Sequence, residues 1–93
     1  IPSASQLSKS WQGLFVLEDW HNFGLYYDPT LMAWLKKFEE SWDSIKADYD
    51  ETFYRMWRYY LCASAATFRA RYNQLWHIVL TKRQHLGVYQ SVR

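Results

Sequence analysis

One cysteine, two prolines and three glycines are all that this 93-residue chain carries of the residues that staple or punctuate a fold. The lone Cys62 excludes an intrachain disulfide, and at helical spacing it reads as a small buried hydrophobe. A reducing, cytoplasmic setting fits that usage. Gly13, Gly24 and Gly87 are isolated, which excludes the glycine-rich loops that cradle nucleotide phosphates. His21, His77 and His85 have no cysteine cluster and no zinc-type spacing, so no metal site is expected. Nothing resembles a nucleophile elbow or an activated Cys–His pair. No apolar run approaches the length of a membrane span, and no basic-then-apolar signal segment leads the chain. The first residue is Ile1 and the methionines are Met32 and Met56, so a piece of a longer product is expected.

Acidic residues are missing from the second half. All nine lie at or before Glu51, where four lysines leave residues 1–51 at a net −5. Residues 52–93 carry seven bases and no acid, a net +7. Two readings follow. Either the halves attract each other within one fold, or the second half offers a basic face to an anionic partner. Matching charges in the same chain favour the first.

What the chain has in excess is aromatic: six Trp, eight Tyr and five Phe. A small chain buries a modest share of its surface. So many large rings are not all covered easily, and the segment is expected to pack against something else.

The order of elements reads strand, helix, helix, strand. Residues 1–10, rich in Ser with Pro2, are expected as a loop or frayed start. Leu14–Leu17 is a short apolar run, expected as a strand ending at Glu18-Asp19, with a turn at Asn22-Phe23-Gly24. Asp28-Pro29-Thr30 reads as a helix start with Asp28 as N-cap and Pro29 as first residue. Leu31, Trp34, Leu35, Phe38, Trp42 and Ile45 then recur in steps of three and four, which predicts an amphipathic helix over roughly 29–47. Asp50 is the expected cap of a second helix, with Phe53, Met56, Trp57, Tyr60, Leu61, Ser64 and Phe68 facing inward. Leu75–Thr81 reads as a strand covered on both faces. The basic tail after Lys82 is expected to be loose. The chain is thus an α+β segment over 1–93, with loose ends at 1–10 and 83–93.

The run Tyr54–Tyr60 interleaves arginines with aromatics, a pattern that stacks on bases and meets phosphates in some nucleic-acid binders. At helical spacing the two kinds fall on separate faces and the net charge is small, so nucleic-acid binding is not expected. The arginines are equally suited to meeting acidic residues of the first helix or lipid phosphates at a membrane surface. Glu18, Asp19, His21 and Tyr27 are left. On composition alone Tyr27 is one more packed aromatic. A phenol is neutral near pH 7 and both donates and accepts hydrogen bonds, so it is also suited to holding a small anion.

Taken in order, Phe15–Gly24, Tyr27-Asp28, Thr30-Leu31, Glu51, Phe53, Arg55-Met56, Tyr59-Tyr60-Leu61, Phe68-Arg69-Ala70-Arg71 and Gln74-Leu75-Trp76 resemble the cyclopropane-fatty-acyl-phospholipid synthases. The resemblance covers about residues 15–81. It implies the C-terminal part of an α/β S-adenosylmethionine-dependent methyltransferase, with this segment supplying the last two strands, antiparallel, and two helices between them. It implies methylene transfer to the cis double bond of phospholipid acyl chains, by a bacterial enzyme that is cytoplasmic and peripheral to the inner membrane. It implies a bicarbonate base held in part by Tyr27, the tyrosine before the Asp-x-Thr-Leu pattern, with adjacent Tyr26 the lesser candidate. No cofactor-binding residue is expected in this segment, and the chain alone is expected to be inactive. Expected partners are the rest of the methyltransferase domain and a phospholipid surface, with self-association of the isolated piece. The alternative is a non-catalytic interaction module whose basic face binds an anionic membrane or protein.

Overall fold

The structure, a computed structural model, describes residues 1–93. The chain divides into two compact units, one of residues 1–21 with 76–93 and one of residues 22–75.

The first unit begins with a helix where a loop was expected. Helix α1 spans Ala4–Trp11. Ser3 starts it by accepting the Gln6 N–H at 3.2 Å, while Gln6 Oε1 accepts the Ser3 N–H at 2.8 Å. This reciprocal pair satisfies two donors that a helix start leaves open. Ser8 and Ser10 donate back to the carbonyls of Ala4 and Leu7, so serines that read as loop formers sit within the helix.

Strands β1 (Phe15–Asn22) and β2 (Trp76–Lys82) form a two-stranded sheet. Trp20 meets Trp76 edge-on at 4.9 Å, and Glu18 accepts the Thr81 hydroxyl at 2.8 Å. One position falls as its partner rises, which is the register of an antiparallel pair. The first strand runs past the Glu18-Asp19 stop read from sequence. Both carboxylates find partners along it, Thr81 for Glu18 and Arg93 for Asp19 at 2.7 Å, so neither has to end the strand. Trp11 closes edge-on against Trp20 at 5.6 Å. No side chain of this unit is fully buried, and four successive apolar residues, Leu14–Leu17, are exposed on both faces.

The second unit is a helix hairpin. A 3-10 turn at Gly24–Tyr26 leads straight into α2 (Tyr27–Ile45), and α3 spans Glu51–Arg69. Asp28 is not the cap of α2. Tyr26 occupies that position with helical backbone angles and no side-chain cap, which puts Asp28 and Pro29 inside the first turn. Pro29 still costs nothing there, because the first four helical N–H groups have no partner within the helix. Asp50 does cap α3, accepting the Phe53 N–H at 2.8 Å.

Leu31 and Leu35 of α2 pack with Leu61 and Ala65 of α3 to form the buried core, flanked by Tyr27, Cys62 and Phe68. Ala65 lets the two helices approach closely. The inner face of α3 is therefore only partly the one expected: Leu61 is buried and Phe68 packs against the core, but Met56 is 66% exposed and Tyr60 55%, with Trp57 also exposed. Apolar residues ring most of α3, so periodicity does not select one side. Aromatic residues gather at the loop end of the hairpin, where Trp42 and Tyr54 lie 4.9 Å apart and Tyr49 stacks on Phe53 at 4.3 Å.

Gly24 is buried where two backbone segments meet. Phe23 N–H donates to the Leu75 carbonyl at 3.0 Å, and Asn22 bonds both Gln74 (3.0 Å) and the Gly24 N–H (3.2 Å). A Cβ on Gly24 would lie 2.9 Å from the Leu75 nitrogen and 3.1 Å from Gln74 Cα. Backbone atoms cannot swing aside as a side-chain tip can. Gly24→Ala is expected to destabilise the fold by about 1–3 kcal/mol, as overpacking does elsewhere. Urea unfolding followed by tryptophan fluorescence measures it, and an unshifted midpoint counts against the close approach.

Candidate functional site

The residues singled out from sequence fall into different units. Glu18, Asp19 and His21 lie on β1, half-buried, in the first unit. Glu18 and Asp19 are engaged by Thr81 and Arg93. Tyr27 opens α2 in the second unit. Tyr26, just before it, is 73% exposed.

Tyr27 is half-buried against the helix core. Phe68 of α3 meets its ring edge-on with centroids 5.0 Å apart, and Trp34, two turns along α2, meets it edge-on at 5.8 Å. Perpendicular rings of this kind are the favoured aromatic geometry. The packing role read from composition is therefore real. It also gives a phenol whose ring is held on two sides.

The neighbouring carboxylate was missed as part of this arrangement. Arg69 donates to both oxygens of Asp28, Nε to Oδ2 at 2.7 Å and Nη2 to Oδ1 at 3.0 Å. Its signal in the sequence is the pair of doublets Tyr27-Asp28 and Phe68-Arg69, each an aromatic followed by a charge, with opposite signs. The hydrogen bond from Arg69 holds the Asp28 carboxyl below its usual pKa, desolvation opposes this, and the guanidinium charge adds to the lowering. The same bond raises Arg69.

That shift has a consequence with a definite sign. A carboxylate lowered in the folded state adds stability that is present in full above its unfolded pKa. The contribution is lost as pH falls through the lowered folded value. The melting temperature of the wild type is expected to exceed that of Asp28→Asn at about pH 7, with the gap closing as the pH falls below the ordinary carboxylate range. The gap is expected to be modest and to shrink in salt, because the guanidinium is exposed. Melts across pH that stay parallel would sink this expectation.

Three of the seven bases in the second half meet acids of the first: Arg58 with Glu39 at 2.8 Å, Arg69 with Asp28, and Arg93 with Asp19. The two halves thus attract within each unit, as the charge pattern suggested. In Tyr54–Tyr60 the faces do not separate as expected. Arg58 turns to α2, while Tyr59 and Tyr60 point to solvent. With Met56, Ala63 and Thr67 they line a shallow apolar groove on the side of α3 away from α2. Cys62 is half-buried against the core. No helix is long and apolar enough to cross a membrane.

Residues 1–78 match the family described as mycolic acid cyclopropane synthetase. The chain is 50% identical over 88 residues to the cyclopropane-fatty-acyl-phospholipid synthase of Escherichia coli K12, covering 95% of this chain and 23% of that protein. It is 44% identical over 84 residues to a sequence of the same name from Citrobacter freundii, covering 90% of this chain and 94% of that sequence. It is 32% identical over 68 residues to sphingolipid C9-methyltransferase A of Emericella nidulans, covering 73% and 13%. The chain therefore spans about a quarter of the Escherichia coli relative's length.

Proposed function

The chain belongs to the mycolic acid cyclopropane synthetase family, and from that premise we propose that it is the C-terminal portion of a cyclopropane-fatty-acyl-phospholipid synthase. The identity of 50% to the Escherichia coli synthase across nearly the whole chain carries this reading. The substrate in the proposal is a cis-unsaturated acyl chain of a phospholipid. The enzyme's place is the cytoplasmic side of the inner membrane, bound peripherally.

S-adenosylmethionine supplies the transferred methyl group when bound. The isolated glycines of this chain do not fit a cofactor loop, so none of its residues is assigned to that ligand. A bicarbonate, if bound, would supply the base for the proton lost from the new methyl group. One side chain here suits it: Tyr27, a neutral phenol held in place by its neighbours, offers a hydrogen bond to an anion without cancelling its charge. A base has to sit within hydrogen-bond reach of the proton it removes, so its holders matter to rate.

The rest of the methyltransferase domain is the proposed cover for Leu14–Leu17 and for the outer face of α3. Without that cover the chain is expected to self-associate through uncovered apolar surface and strand edges.

The full-length protein, produced in bacteria that lack their own synthase, tests the reading. Cyclopropane acyl chains are expected in the phospholipids by gas chromatography of the methyl esters. Unaltered cis-unsaturated chains would overturn the proposal. Methyl-branched chains would keep the transfer but reject the ring closure. For the 93-residue chain alone, titration calorimetry with S-adenosylmethionine is expected to show no binding.

A further inference from the structure

Two consecutive residues at the start of α2 are attached to two consecutive residues at the end of α3. Tyr27 lies edge-on against Phe68, and Asp28 receives the two-pronged hydrogen bond of Arg69. Trp34 closes a second side of the Tyr27 ring. These attachments differ in kind. A ring contact limits how far Tyr27 moves but leaves sliding possible. A planar guanidinium on both oxygens of a carboxylate sets distance and tilt together, which a point charge does not. Asp28 is the next residue along the backbone, so the fork fixes the peptide from which the Tyr27 side chain projects.

From this the geometry points to Arg69 as a positioning residue: through its fork on Asp28, and with Phe68 beside it, it holds the Tyr27 hydroxyl where a small anionic base must meet it. The inference rests on the role proposed for Tyr27 above. The role of Arg69 runs through Asp28, to which the Nε–Nη2 edge of its guanidinium is committed. The pair is not there chiefly for stability, since an ion pair with one exposed partner adds little. Geometry is where it matters: displacement of a catalytic group by about 1 Å can cost about a hundredfold in rate.

Kinetics of the full-length enzyme with four variants tests the inference. Arg69→Gln is expected to lower kcat about tenfold, with KM little changed. Arg69→Lys, which keeps the charge and loses the fork, is expected to recover only part of the rate. The double variant Tyr27→Phe with Arg69→Gln is expected to be no slower than Tyr27→Phe alone, because both act through one hydroxyl. Losses that multiply in the double variant would overturn the inference. So would full activity in Arg69→Gln beside a slow Tyr27→Phe. Asp28→Asn, nearly the same shape, replaces Arg69→Gln in the same comparisons if that variant fails to fold. A second readout separates this inference from the role of Tyr27. In the full-length enzyme with labelled tyrosine, the Tyr27 ring resonances are expected to shift and broaden in Arg69→Gln. Unchanged resonances would remove the positioning role even if Tyr27 proves essential. Changed resonances with a fully active Tyr27→Phe would instead sink the proposed chemistry and leave the clamp standing.

Discussion

Replacing Leu61 by alanine is expected to cost about 2–5 kcal/mol of folding stability, the range for a large-to-small change in a core. Leu61 is 2% exposed and is the largest side chain in the chain that is fully buried. It packs with Leu31, Leu35 and Ala65, and that group is the whole buried hydrophobic core. Small domains have about 5–15 kcal/mol in total, so the loss is a large fraction of what is available. Met56, five residues earlier on the same helix, is the control. It was placed on the inner face by periodicity, yet it lies 66% exposed. Met56→Ala is expected to change stability by about 0.5 kcal/mol or less, as exposed positions do. Urea unfolding of both variants, read by tryptophan fluorescence, decides between the two faces. A large loss at Met56 with none at Leu61 would show that α3 packs by its other side.

The contrast between those two residues shows where the sequence was legible. Caps made within a few residues could be read. Asp50 was assigned to α3 and does accept the Phe53 N–H. The Ser3–Gln6 box was open to the same reading, but the surrounding serines pulled it towards a loop. Features that depend on distant partners could not be read in this way. Asp28 has the composition of an N-cap and follows a plausible helix boundary. The helix begins before it, and its carboxylate instead meets Arg69, 41 positions away. Glu18 looked like a strand stop until Thr81, 63 positions away, met it. The helix faces divide along the same line. In α2 the charged residues are numerous enough to leave one apolar stripe, and Leu31 and Leu35 are buried as expected. In α3 apolar residues occur on all sides, so only the position of α2 selects Leu61 and Ala65.

Tyr27→Phe in the full-length enzyme is expected to slow turnover by about ten- to a hundredfold. A hydrogen bond to a charged group contributes about 1.5–3 kcal/mol, and each 1.4 kcal/mol or so in the barrier is a factor of ten. The substitution deletes one oxygen. The phenylalanine ring keeps the edge-on contacts with Phe68 and Trp34 and the flank of the core. Folding stability is therefore expected to move by about 0.5 kcal/mol or less. That separation gives the test its force. A residue that only packs would lose little of either quantity on this change, and a residue whose loss unfolds the protein would lose both. Tyr26→Phe supplies the internal control, since that side chain is exposed and stands at the cap position rather than inside the aromatic cluster. Steady-state rates and melting temperatures of the two variants together decide the matter. Equal rates for Tyr27→Phe and wild type would reject the anion-holding role and return Tyr27 to the packing role that its composition first suggested. A slow Tyr26→Phe beside a normal Tyr27→Phe would move the hydroxyl that matters by one residue. It would also remove the rationale for the Arg69 clamp, because Tyr26 has no ring contact with Phe68 and precedes the peptide that Asp28 anchors.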